Sequence, residues 1–158
     1  MNDGTTSELS YAADMQRVVH FFETLTVSSA QEQLENIYAP DASFKDPFNE
    51  VNGLAAIKPI FVHMFKQVEN PRFVITSTVL QGDSAFMTWE FLFHMRRYAR
   101  EEQCIRGATH FRFAPDGRVS YHRDYWDAAE ELYEKIPVVS SFMPVSYTHL
   151  TLPTIYSV

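Results

Sequence analysis

Two short stretches of this chain carry the residue types that proton transfer requires. The first is Phe44-Lys45-Asp46-Pro47-Phe48. Pro47 biases Asp46 towards an extended backbone. The rings of Phe44 and Phe48 withdraw the carboxylate from water, which raises a carboxylate pKa, and a raised carboxylate is what a general base near neutral pH needs. The competing role is structural, a turn aspartate that caps the following helix or hydrogen-bonds its own loop. The second stretch is His122-Arg123-Asp124. Residues two apart on an extended backbone share a face, so His122 and Asp124 form an acid–base dyad in which the carboxylate increases the affinity of the imidazole for its proton. Asp124 as an anchor for Arg123 or a neighbouring helix is the alternative. With Glu90 or Asp46 the pair also has the makings of a two-carboxylate metal site. Glu90 lies between Trp89 and Phe91, and a buried glutamate needs a partner, for which His122 is the candidate. Cys104 reads as a structural thiol, and His20, His63, His94 and His110 as surface or core residues.

The elements that must position these groups follow from periodicity. Val18, Phe21, Phe22 and Leu25 recur at spacings of three and four and predict a first helix over residues 10–26. Ser29 followed by Glu32 has the spacing of a capping box, and Leu34, Ile37 and Tyr38 continue a short second helix that Pro40 stops. Leu54, Ile57, Ile60, Phe61, Met64 and Phe65 predict a third helix, with Pro59 bending it or delaying its start. From residue 72 the pattern becomes extended, in four segments separated by the turn signals Gly82-Asp83 and Pro115-Asp116-Gly117 and by the polar connection RYAREE. Helices followed by an antiparallel meander imply an α+β domain with a sheet packed on helices.

Length and charge narrow the function. The 158 residues suit one domain, and 46% hydrophobic with 15% aromatic residues suffices for a core and an aromatic-lined cavity. A net charge of −7 repels a phosphate backbone, so nucleic acid is not an expected partner. The lone Cys104 allows no internal disulfide and fits a reducing compartment. No secretory start or membrane-length apolar run is seen, and a cytoplasmic location is expected. No cofactor is implied. After Lys135 the chain has no charged side chain and no period. Residues 146–158 resemble a translated sequencing adapter.

The run YAPDASFKDPFNEVNGLAAIKPIF resembles the corresponding part of bacterial ketosteroid isomerases, and HFRFAPDGRV resembles their hairpin. GRVSYHRDYWD is similar to the final strand of limonene epoxide hydrolase. Together these cover roughly residues 11–127, and the chain is identified as a member of the SnoaL-like group of the nuclear transport factor 2-like superfamily. The resemblance implies a cone-shaped, cystatin-like curved antiparallel sheet wrapped on three N-terminal helices. The expected organisation is a disordered N-terminus over 1–10, a SnoaL-like domain over 11–136, and, from its composition and adapter-like end, a non-native or disordered tail over 137–158. The resemblance also implies a strand register in which Thr88, Glu90 and Leu92, then Thr109 and Phe111, then His122, Asp124 and Trp126 point into the cone. His110 then points away, and Phe91, Phe93 and Met95 face outward with Tyr121 and Tyr125.

In the isomerase comparison Asp46 falls on the proton-abstracting aspartate, but the oxyanion donors fall on Phe21, which has no hydroxyl, and on Thr109, a weak donor; this argues against steroid isomerisation. In the hydrolase comparison the last-strand aspartate falls on Asp124. The other members of its water-activating set fall on Phe44, Asp46, Glu90 and Leu92, which argues against that triad. The expectation is a pocket protein for a small, largely apolar molecule, an isomerase, cyclase or hydrolase using Asp46, Asp124 and His122 as catalytic acids and bases. Phe21, Tyr38, Glu90, Leu92, Thr109 and Trp126 would line the ligand. A non-catalytic ligand-binding or dimerisation module is the alternative, and an apolar outer face would pair two copies into a homodimer.

Overall fold

In the computed structural model, which describes residues 4–96 and 101–133, α1 runs over Gly4–Glu23 and buries Met15, Val18, Phe21 and Phe22. It begins earlier than the stripe alone predicts and takes in part of the polar lead. Two short helices follow, α2 (Val27–Glu32) and α3 (Leu34–Ile37). The capping box that starts α2 is Thr26 with Ser29, not Ser29 with Glu32. Thr26 is extended, its hydroxyl accepts from the Ser29 N–H at 3.1 Å, and the Ser29 hydroxyl accepts from the Thr26 N–H at 2.9 Å.

The backbone becomes extended at Tyr38, where a continuing helix was expected, and Pro40 keeps Ala39, the residue before it, out of helical geometry. β1 (Tyr38–Lys45) and the short β2 (Glu50–Asn52) therefore form an additional hairpin ahead of α4 (Leu54–Gln67). Pro59 lies within α4. Four long strands complete the sheet: β3 (Val68–Gln81), β4 (Ser84–Met95), β5 (Gln103–Phe113) and β6 (Val119–Tyr125). A π-helical turn, Ala129–Tyr133, follows. The strand order is β2-β1-β6-β5-β4-β3 in one curved, unclosed sheet, antiparallel except where β1 runs parallel to β6. That parallel pair sets Phe44 beside His122 and carries the Asp46 loop to the end of β6.

The helices cover the concave face. Phe61 of α4 packs against Phe21 and Phe22 of α1, Tyr38 and Phe44. On β4 the buried residues are Ala85, Met87, Trp89, Phe91, Phe93 and Met95. This corrects the expected register of that strand by one residue, and such a shift exchanges its two faces. Thr88, Glu90 and Leu92 lie on the convex side, with Glu90 opposite Arg106 in the ladder. Phe91, Phe93 and Met95 are core residues and not an outer apolar face. The hydrophobic effect decides this, since one alternating set is wholly apolar and the other contains Thr88, Glu90 and His94. Among the described residues no helix is long and apolar enough to cross a membrane. The tail over 137–158 lies outside the described residues.

Candidate functional site

A cavity of about 600 Å³ lies between α4, the β1–β2 loop and the concave faces of β4, β5 and β6. That is within the ~300–1,000 Å³ of small-molecule sites. Its walls are mostly rings and aliphatic chains, among them Phe22, Phe44, Phe48, Trp89 and Trp126, and both Asp46 and Asp124 reach it.

The strand register builds its polar end. Met87 pairs with Thr109 and Thr109 with Asp124, so one row crosses three strands on the concave face. Ala85, Phe111 and His122 form the adjoining row, which continues to Phe44. Within these rows a chain of hydrogen bonds runs through the protein. Trp89 Nε1 donates to Thr109 Oγ1 at 2.8 Å, and Thr109 donates to Asp124 Oδ1 at 2.6 Å. His122 Nε2 lies 2.7 Å from the same oxygen, and the Tyr38 hydroxyl lies 2.7 Å from His122 Nδ1. Donor chemistry orders the chain. The indole can only donate, so the single Thr109 proton goes to Asp124. Burial, and then the Asp124 charge, hold the Tyr38 phenol well above its usual pKa, so it stays protonated beside His122 Nδ1. Trp89 reaches Thr109 because its indole lies over Gly107, its partner on β5, where an added Cβ would come within 2.5 Å of the ring.

Asp46 is held differently. Its Oδ1 accepts from the N–H groups of Phe48 at 2.8 Å and Asn49 at 2.6 Å, and the Asn49 amide lies 3.1 Å from both carboxylate oxygens. This is the turn geometry that an aspartate before Pro-Phe-Asn favours. Those bonds stabilise the anion, yet burial and then the Asp124 charge outweigh them, and the Asp46 pKa lies above its ordinary 3.8.

Asp46, Asp124, His122, Thr109 and Trp126 therefore meet at one cavity. The expected roles of four other residues change. Phe22, not Phe21, is the α1 residue on the wall; Phe21 packs edge-on against Phe22 and Phe61. Tyr38 stands behind His122 in the core rather than on the wall. Glu90 and Leu92 face away, and the partner of His122 is Asp124, not Glu90. Asn49, Trp89 and Met87 were not singled out from the sequence, although Asp-Pro-Phe-Asn is a readable turn signal and β4 periodicity marks the other two. Among the described residues no group of three or more His, Cys, Asp or Glu side chains is arranged to hold a metal ion.

Comparison with the curated proteins finds no match. Among solved structures, a Catenulispora acidiphila protein with a ketosteroid isomerase-like fold, in complex with trimethylamine, is similar at 16% identity and TM-score 0.64, covering 83% of this chain and 93% of that one. A candidate SnoaL-like polyketide cyclase from Jannaschia is similar at 14% identity and TM-score 0.63, over 82% and 94%. An LEH-like epoxide hydrolase of M. tuberculosis matches at 12% identity and TM-score 0.62, over 80% and 89%. At these identities the likeness is one of fold, which hosts isomerases, cyclases and epoxide hydrolases. The model of the SnoaL-like domain matches residues 18–122, most of the chain and all the elements from within α1 to His122, and the chain belongs to that family.

Proposed function

We propose that this protein is a pocket enzyme that moves a proton on, or activates water against, a small and largely apolar substrate, as an isomerase, cyclase or hydrolase. Asp46 is the general base, Asp124 with His122 is the second acid–base pair, and Phe44, Phe48 and Trp126 are walls. The observation that carries this reading is the Asp46 carboxylate in an apolar cavity, bonded only to neutral amides and held above the usual carboxylate range by burial and by Asp124. Such a group takes up a proton near neutral pH more readily than an exposed aspartate. The M. tuberculosis hydrolase is a precedent for chemistry on this fold, and the Catenulispora complex for a small organic ligand.

The test is Asp46→Asn against a panel of small apolar ketones and epoxides. For any compound turned over, the rate should fall ~100-fold or more with little change in affinity. Wild-type turnover in the variant would remove Asp46 as base. A binding-only role is favoured by the bonds that Asp46 already makes to its own loop; ligand retention with no turnover of any compound would support that role.

We further propose a homodimer through the convex sheet face, with Tyr125 as first expected and with Val79 and Phe86 in place of Phe91, Phe93 and Met95. Val79 (63% exposed), Tyr125 (47%) and Phe86 (46%) leave apolar surface there. Phe86 stacks on His110 at 4.4 Å, which keeps the patch flat. A monomer at micromolar concentration in sedimentation velocity would overturn this assembly.

A further inference from the structure

The charges in the cavity do not balance. Two carboxylates face it, and the partners of Asp46 are backbone and side-chain amides. Thr109 Oγ1 and His122 Nε2 both lie within hydrogen-bond distance of one Asp124 oxygen, Oδ1, at 2.6 and 2.7 Å. Among the described residues His122 is the one basic side chain paired with either acid, its Nε2 2.7 Å from Asp124 Oδ1, so two carboxylates face a single imidazole. The basic residues of α4 beside the cavity, His63 and Lys66, are exposed to solvent. The ion pairs of Arg17, Lys45, Arg72, Arg96 and Arg118 are made with acids other than these two. Charge drawn out of water is ordinarily paired, so the cavity holds an anion whose natural counter-ion comes with the ligand.

The walls next to the acids suit one kind of cation. Phe48 stands two residues after Asp46 and Trp126 two residues after Asp124, and their rings meet at 77° with centroids 5.5 Å apart. Both line the cavity, and Phe44 continues the aromatic surface. Ring faces attract poorly hydrated organic cations, quaternary and tertiary ammonium groups above all. Among the described residues no three His, Cys, Asp or Glu side chains are grouped to hold a small, strongly hydrated metal ion, whereas an alkylated ammonium loses little hydration on entering.

We propose that the cavity selects a ligand carrying one substituted-ammonium group on an apolar body, with Asp124 as counter-ion and the rings of Phe48 and Trp126 as its cage. This deepens the reading above and rests on it in one respect, that the cavity is the ligand site. Asp124 holds the charge and leaves Asp46 to handle the proton.

The chain supplies its own reporter, because its two tryptophans, Trp89 and Trp126, both line the cavity. Tryptophan fluorescence is titrated with benzyltrimethylammonium and with neopentylbenzene, which has the same shape and no charge. The cation should bind ~10-fold or more tightly than the neutral compound. That preference should vanish in Asp124→Asn and persist in Asp46→Asn. Equal affinities in the wild type, no binding of the cation at millimolar concentration, or a preference lost only in Asp46→Asn would each overturn the proposal. If Asp124→Asn does not fold, the wild-type pair of probes decides alone. The proton-transfer reading fails separately, by undiminished turnover in Asp46→Asn, whichever probe binds better.

Discussion

Asp46 sits in a hairpin loop and draws its hydrogen bonds from the next residues of its own chain, whereas Asp124 sits in a strand and draws its bonds from side chains on two strands. Both reach the same cavity. The loop acid gains anion-stabilising bonds but loses more to burial and to its neighbour, and is raised. The strand acid is one link in a chain that ends in Tyr38, a residue with no exposed surface. Two carboxylates can divide work when their surroundings differ in this way, one changing its proton and one remaining a fixed point. Local sequence makes the turn bonds of the first, and tertiary packing makes its burial and the whole of the second.

The contrast breaks most visibly in stability. Asp124→Ala leaves the Thr109 hydroxyl and His122 Nε2 without their partner, and buried unsatisfied polar groups cost ~1–3 kcal/mol each. Urea unfolding should show a loss of ~3 kcal/mol. Tyr38→Phe removes one bond at the far end of the chain and should cost ~1 kcal/mol, and Asp46→Ala, which frees two N–H groups but also removes a desolvated charge, about the same or less. A loss in Asp46→Ala that equals or exceeds that in Asp124→Ala would reverse the assignment of fixed and mobile acid.

The smallest expected effect is the most specific. Because the folded pKa of Asp46 lies above its ordinary 3.8, the folded state binds the proton more tightly than the unfolded chain. The stabilisation is complete below that ordinary value and is lost as pH rises through the folded value. Asp46→Asn cannot titrate, so its stability should lack this decline while keeping the Oδ1 acceptor for Phe48 and Asn49. Unfolding midpoints measured from acid to neutral pH, wild type against variant, give the difference curve. A difference that grows in the opposite sense would mean that the turn bonds outweigh burial.

Much of this site was legible before the fold was known, and the exceptions are instructive. Asp46 could be found from its own neighbours, because proline, flanking rings and a following asparagine act within a few residues. His122, Asp124 and Trp126 share a face of β6 by strand periodicity, and Thr109 and Phe111 share one on β5. The assignment failed on β4, where a register carried over from distant relatives outweighed the strand's own pattern. The wholly apolar set from Met87 to Met95 identified the buried face without any comparison. Helix α1 failed more narrowly, since Phe21 and Phe22 both lie on its apolar stripe and only the packing of Phe61 decides which one reaches the cavity.

Composition and periodicity by themselves determined the α+β class, the apolar faces of the helices and strands, and the turn that binds Asp46, because each depends on contacts within a few residues of chain. Tertiary structure alone decided that β1 lies parallel to β6, that Tyr38 reaches across 84 residues to His122, and that Trp89 lies flat on Gly107 to meet Thr109. The physical reason is that hydrogen bonds between distant residues depend on strand order and register, which are properties of the whole buried face.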